Sequence, residues 1–228
     1  MPSEHTDKRY EEELKKLRED ILYMGGLVED QIQKAVSSLV DRGSKLAETI
    51  IQRDHEVNRL DVEIDDVCIR LLALHQPAAR DLRFITTALK ITTDLERIGD
   101  MAVNICERAL ELNNEPQLKP YIDIPRMARI SQRMIHESLD AFVREDTELA
   151  LKVCKDDQEV DDLNSQIFRE TVSFMIEDPH TINRAMKVGF VSKYLERIAD
   201  HATNIAEMVV FMVKGKSIRH IKEIPPSV

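Results

Sequence analysis

The chain has 228 residues, enough for one large domain or two of roughly 100 residues each. Of these, 43% are apolar but only 4% aromatic, with no Trp, so the core is built from Leu, Ile, Val, Ala and Met; six Gly and eight Pro leave little material for many tight turns, which points to long helices. A formal charge of −10 argues against a DNA-binding role, which draws its affinity from Lys and Arg on phosphates, and no stretch approaches the ~20 apolar residues of a membrane span.

In chain order, apolar residues recur at alternating steps of three and four from Leu14 through Leu17, Ile21, Met24, Val28, Ile32 and Ala35 to Leu39, which predicts a first helix near Tyr10–Asp41 with Gly25-Gly26 as its weak point. Gly43 is suited to end it in a left-handed conformation, and Ser44 to cap a second helix. The second stripe runs Leu46, Ile50, Val57, Leu60, Ile64, Val67, Leu71, Leu74 to a hairpin at Gln76-Pro77. A third helix follows over Ala79–Leu112. Two prolines and two asparagines between Asn113 and Ile122 break the pattern and mark a linker over 113–122. A fourth helix then carries Pro125 in its first turn and runs to about Val143, a fifth spans Thr147–Met175 with Asp146 as its cap, and a sixth spans Thr181–Met212 after a hairpin at Asp178-Pro179, with Gly189 inside it.

The second half repeats the first. Asp94 to Glu107 aligned with Tyr194 to Glu207, an offset of 100, matches nine of fourteen residues, including Leu-Glu-Arg-Ile-x-Asp and Asn-Ile-x-Glu. Upstream, Asp54, Glu56, Val57 and Leu60 match Asp157, Glu159, Val160 and Leu163 at an offset of 103. Helical periodicity reproduces Leu and Ile but not the polar identities, so the unit is a duplicated set of three helices. The expected fold is all-α: two tandem, pseudo-symmetric three-helix bundles over 1–112 and 123–228.

The polar identities are the chemistry-bearing part. Glu96, Asp100, Asn104 and Glu107 point nearly opposite to Leu95, Ile98, Ala102 and Ile105, and Glu196, Asp200, Asn204 and Glu207 repeat this in the second copy. Acids four residues apart repel by a few tenths of a kcal/mol, a cost that a bound cation reverses. The competing reading is the solvated face of an amphipathic helix. Counting from the hairpin sharpens the choice. Asp54 and Asp100 are each 23 residues from Pro77, and Asn58 and Glu96 are each 19 away. In the second copy Asp157 and Asp161 lie 22 and 18 residues before Pro179, and Asp200 and Glu196 lie 21 and 17 after it. Each unit thus gathers carboxylates from two helices at one level, as oxygen-liganded Mg, Mn, Ca or ferric iron requires.

Other chemistries find less support. A ferritin-type di-iron centre needs Glu-x-x-His on two helices, and the single such string, Glu177-Asp178-Pro179-His180, crosses a hairpin proline. His201 points away from the acid stripe and reads as a surface histidine, and Arg97 and Arg197 as partners of neighbouring acids. No Gly-rich phosphate loop or nucleophile string is present, so no enzyme activity is expected. Cys68, Cys106 and Cys154 are odd in number and read as buried reduced thiols. Met1 to Tyr10 lacks the apolar run of a signal peptide, so a cytoplasmic location is expected. The basic cluster Lys214, Lys216, Arg219, His220 and Lys222 reads as a solvated tail, with a membrane surface or partner as its alternative contact.

The duplicated Leu-Glu-Arg-Ile-Gly/Ala-Asp strings, together with Leu-Leu-Ala-Leu-His-Gln-Pro-Ala-Ala-Arg-Asp-Leu-Arg at Leu71 to Arg83, resemble the PhoU family of bacterial phosphate-signalling regulators over essentially the whole chain. The resemblance implies two similar three-helix bundles, a homodimer, and a cytoplasmic protein held peripherally at the inner membrane through its partners. It implies negative regulation of the phosphate-starvation response and of phosphate uptake, by linking the ATPase subunit of a phosphate ABC transporter to a membrane sensor histidine kinase. Some members of the family carry iron or another metal on Glu/Asp-x-x-x-Asp motifs, which makes iron, Mn, Mg and Zn the candidate ions for this chain. The motifs map to Glu96 and Asp100 and to Glu196 and Asp200 as the main ligands, with Asp54, Asp157, Asp161, Asn104 and Asn204 in weaker roles. Asn58 against Asp161 departs between the copies. The alternative function is a carboxylate-rich metal-binding or storage protein without a signalling role.

Overall fold

The structure, a computed structural model, describes the backbone of residues 4–218 and the side chains of 8–218. Among them are seven α-helices and no strands: α1 (Glu4–Val40), α2 (Ser44–Arg53), α3 (His55–His75), α4 (Ala79–Asn113), α5 (Asp123–Arg144), α6 (Thr147–Glu177) and α7 (Ile182–Lys214), with a 3-10 turn at Pro179–Thr181 before α7. Helices α1 to α4 form one bundle and α5 to α7 the other, with α2 and α3 together standing where α6 stands in the second copy. The apolar stripes bury as the spacing predicts: Leu17, Ile21, Met24, Val28 and Ile32 of α1 and Leu95, Ile98, Ala102 and Ile105 of α4 are fully enclosed, as are Leu195, Ile198, Ala202 and Ile205 of α7. No helix is long and apolar enough to cross a membrane among the described residues.

The two bundles share one core. Helix α4 lies along α7 and α1 along α5, so these four form the centre, while α3 and α6 flank it on the outside and do not meet the other bundle. Gly25 sits at the α1–α5 contact: a Cβ there would come within 2.2 Å of Leu139 Cδ1, whereas Gly26 next to it faces open space. The glycine pair is therefore compatible with an unbroken helix, and a side chain at Gly25 would force Leu139 to move. Residues 114–122 between α4 and α5 are held from both bundles. Arg42 Nη2 donates to the carbonyls of Asn113 (2.6 Å) and Glu115 (2.7 Å), Arg184 donates to that of Pro116 (2.9 Å), and Lys119 pairs with Glu170.

Several local expectations change. The left-handed residue after α1 is Arg42 (φ 56°), not Gly43 (φ −89°). The amide of Gly43 donates to Ser38 O at 2.8 Å, the longer bond of a Schellman closure, and the contacts of the Arg42 guanidinium offset the strain at its own backbone. Ser44 opens α2 as its first residue, with Gly43 in the cap position, and its hydroxyl accepts from Asn113 Nδ2 (3.3 Å). The second stripe is not one helix but two, α2 and α3, interrupted at Asp54, where His55 Nδ1 occupies the Gln52 carbonyl at 2.7 Å. Asp146 caps α6 as read, its Oδ1 accepting from the amides of Glu148 and Leu149, both at 3.0 Å. Cys68 and Cys106 are buried free thiols and Cys154 is half-buried; burial pushes all three up to about 12, so they stay protonated. Of the basic tail, Lys214 and Lys216 are exposed, and Arg219, His220 and Lys222 lie outside the described residues.

Candidate functional site

In the first bundle Asp54 lies at the one-residue interruption between α2 and α3, with its backbone still helical (φ −57°, ψ −30°), and its carboxyl faces Gly99 of α4. Its Oδ2 accepts from Asn58 Nδ2 at 3.0 Å, while Oδ1 is buried with no hydrogen-bond partner. Residue 99 on α4 is Gly, and a Cβ there would lie 3.5 Å from Asp54 Oδ1 and 3.3 Å from Gln31 Oε1 of α1, which is also buried and unpartnered. The Asp54 carboxylate and the Gln31 side-chain amide thus meet beside Gly99, where the amide turned to present its Nε2 donates to the carboxylate and an added Cβ would crowd both. Burial and then the charge of Asp100 push the Asp54 carboxyl up, against the pull of its hydrogen bonds with Asn58 and Gln31 and of His55. Glu96 is raised by burial, then by Asp100, with Asp61 and Asp54 adding to it and Arg97 opposing. Arg97 reaches both Glu96 (3.4 Å) and Asp100 (3.3 Å), as its position between them predicts.

The second bundle carries the same acid stripe with more charge, and with Ala199 where the first has Gly99. Asp157 on α6 is pushed up to about 7 by burial and then by Asp161, Asp200 and Glu196, only partly offset by Thr203. Asp161 is raised by burial and then by Glu196, and Asp200 by burial and then by Glu196 and Asp161. Lys193 sits 2.6 Å from Glu196 Oε1 and 2.5 Å from Oε2 and so pairs with both oxygens of that carboxylate. Six carboxyls of the two clusters, Asp54, Asp61, Glu96, Asp157, Asp161 and Asp200, thus hold their protons more tightly than free ones. The cause is low local dielectric plus like charge from the facing helix.

Asp54, Glu96 and Asp100 are brought together, and so are Asp157, Asp161, Glu196 and Asp200. Asn104 and Asn204 lie half-buried one turn further on, and neither hydrogen-bonds a carboxyl of its cluster. Missed from the sequence were Asp61, Gln31, Lys193 and Thr203. Asp54, Asn58, Asp61 and Asp65 are spaced by four, three and four, which places them on one helical face and was a usable signal. Gln31 lies on another helix, with nothing local to announce it. His201 is not a surface histidine: its Nδ1 lies 2.7 Å from Asp94 Oδ1, both side chains are 17% exposed, and the pair joins α7 to α4 across the two bundles.

The donor chemistry, carboxylates and amide oxygens without thiolate or imidazole, fits a hard cation. Among the described residues, however, no three His, Cys, Asp or Glu side chains converge as a metal ion needs. The clusters therefore present carboxylates at one level, as the hairpin count implied, without closing into a coordination shell.

Comparison with known proteins follows the duplication. The PhoU domain pattern matches residues 21–109 and again residues 124–209. The chain is 42% identical over 218 residues to the phosphate-specific transport system accessory protein PhoU homolog of Pseudomonas aeruginosa, covering 95% of this chain and 90% of that protein. The crystal structure of PhoU from Pseudomonas aeruginosa superposes with a TM-score of 0.87 at 42% identity, covering 91% of this chain and 100% of the other. That of the phosphate transport system regulatory protein PhoU from Streptococcus pneumoniae gives 0.85 at 29% identity, covering 92% and 99%.

Proposed function

The chain belongs to the PhoU family, accessory proteins of phosphate transport, and from that premise we propose that it is a negative regulator of the phosphate-starvation response and of phosphate uptake. In this reading it is an adaptor, not an enzyme. As a homodimer in the cytoplasm it docks on the ATPase subunit of a phosphate ABC transporter and on a membrane sensor histidine kinase, without binding DNA. The observation that carries the proposal is the family match along nearly the full chain to a transport accessory protein, in both copies of the repeat. Deletion of the gene tests it. Starvation-gene reporters should stay on and phosphate uptake should stay high in phosphate-rich medium. Normal reporter output and normal uptake in that strain would overturn the regulatory role.

The acid clusters enter as the cation-responsive part of the adaptor. Asp54, Glu96 and Asp100 in one bundle, and Asp157, Asp161, Glu196 and Asp200 in the other, attract an oxygen-preferring ion such as iron, Mn or Mg, because each cluster carries raised carboxyls that a cation returns to the charged state. Storage without signalling is the less favoured alternative, since the relatives are described by transport and regulation. Elemental analysis of protein purified without a histidine tag and exposed to iron, manganese, magnesium and zinc tests the cation. Protein that stays metal-free removes this part and leaves the adaptor standing.

A further inference from the structure

Matched position by position, the two bundles differ sharply on the outer face between the sixth and seventh helices. Gly189 of α7 stands where the first copy has Leu89, whose side chain packs on the core, and a Cβ at Gly189 would meet only Thr171 Oγ1, at 3.9 Å. The missing side chain leaves a groove of about 540 Å³ between α6 and α7. Phe168, Met186 and Phe190 form its walls, 63%, 47% and 44% exposed, where the first copy has Asp65, Thr86 and Lys90. Apolar side chains gathered at a concave surface mark a site that another molecule covers. The lining runs along α6 from Asn164 to Met175, about 17 Å or three helical turns at 1.5 Å per residue.

Charge at the groove selects the occupant. Its two ionic lining residues are both cations, Arg169 and Lys193, where the first copy has Asp66 and Thr93, although the chain as a whole is at −10. Among the described residues no carboxylate pairs with Arg169, whereas Lys193 is held by Glu196. A second copy of this chain suits the face badly, since a two-fold contact sets these cations against themselves. We propose that the groove receives an amphipathic helix of about three turns from another protein, with apolar side chains at i, i+3 or i+4, and i+7 in the groove and carboxylates toward Arg169 and Lys193. Met and Phe walls adapt to such a helix, and the unpaired Arg169 gives it sign and direction. The inference stands on the groove and does not depend on the phosphate role.

Fluorescence anisotropy with the full chain tests it, using as probe a labelled synthetic amphipathic helix of about twelve residues with Leu and Phe on one face and Glu on the flanks, beside the same peptide with Lys for Glu. Saturable binding of the Glu peptide is expected, with the Lys peptide at least ~tenfold weaker. Gly189→Leu, which copies the first bundle into the second, should abolish binding while the helical circular dichroism and melting temperature hold. Phe168→Ser should weaken it without touching the core, and Arg169→Glu should invert the preference between the two peptides. No binding, equal binding of both peptides, or binding indifferent to Gly189→Leu and Phe168→Ser overturns the proposal. Light scattering that shows a dimer converted to monomer by Gly189→Leu makes a second copy the occupant and overturns it as well.

Discussion

The two acid clusters are the same construction on equivalent helices; they differ in a cation, Lys193 for Thr93, in Ala199 for Gly99, and in an exchange of amide for acid. The first copy has Asn58 and Asp61 where the second has Asp161 and Asn164. In the first, Asn58 stands beside Asp54 and donates to it. In the second, Asp161 stands beside Asp157 as a second charge, while Asn164 has moved one turn away and accepts from Ser192 Oγ at 2.6 Å. A neutral donor one turn along lets a buried carboxyl settle; burial, with a carboxylate in that place adding to it, drives Asp157 toward neutral pH. Duplication thus preserved the packing and let the charge state of each cluster diverge.

The largest expected effect tests whether the bundles differ in stability at all. Leu95→Ala and Leu195→Ala remove fully buried side chains from equivalent sites and should each cost about 2–5 kcal/mol in a denaturant titration. Because α4 and α7 share one core, both variants should keep a single transition. A second transition in either variant would break the shared-core description. Next comes the α1–α5 contact: Gly25→Ala should destabilise by about 1–3 kcal/mol through Leu139, while Gly26→Ala should be neutral or stabilise by up to ~1 kcal/mol, as alanine does in an open helix position.

The charge difference is sharpened by pH. The raised Asp157 carboxyl binds a proton more tightly in the folded than in the unfolded chain, so its contribution to stability is complete below about pH 4 and is lost as pH rises through about 7. In EDTA, Asp157→Asn should therefore match wild type near pH 4 and exceed it above pH 7.5. The carboxyl is partly exposed, and discounting for solvent screening leaves about 1–2 kcal/mol. Melting temperatures across that range check it, and a constant offset at every pH would count against the electrostatic cause. Smaller still is the effect of Asp100→Ala with Asp200→Ala, which should shift stability by well under ~1 kcal/mol, since both side chains face away from the apolar seam. If the wild type carries metal, loss of that metal in this double variant ties the motif to the ion, and retention dissociates them.

The apolar stripes, the duplication, the Asp146 cap and the acids on the outer face were all legible in the chain, because each depends on residues within a few turns of one another or on a repeat visible in one dimension. Periods of three and four place Leu95 inward and Glu96 on the opposite side, where the facing helix half-buries it, and the offset of 100 identifies the polar residues that periodicity cannot explain. Equal distance from the hairpin even set Asp54 level with Asp100. What stayed hidden was decided between helices distant in sequence. The contact of Leu139 with Gly25, the pairing of His201 with Asp94, Gln31 beside Gly99 and the groove opened by Gly189 all depend on how the helices are rotated and crossed. That arrangement is set by the summed packing of one core through both bundles, so no local pattern carries it.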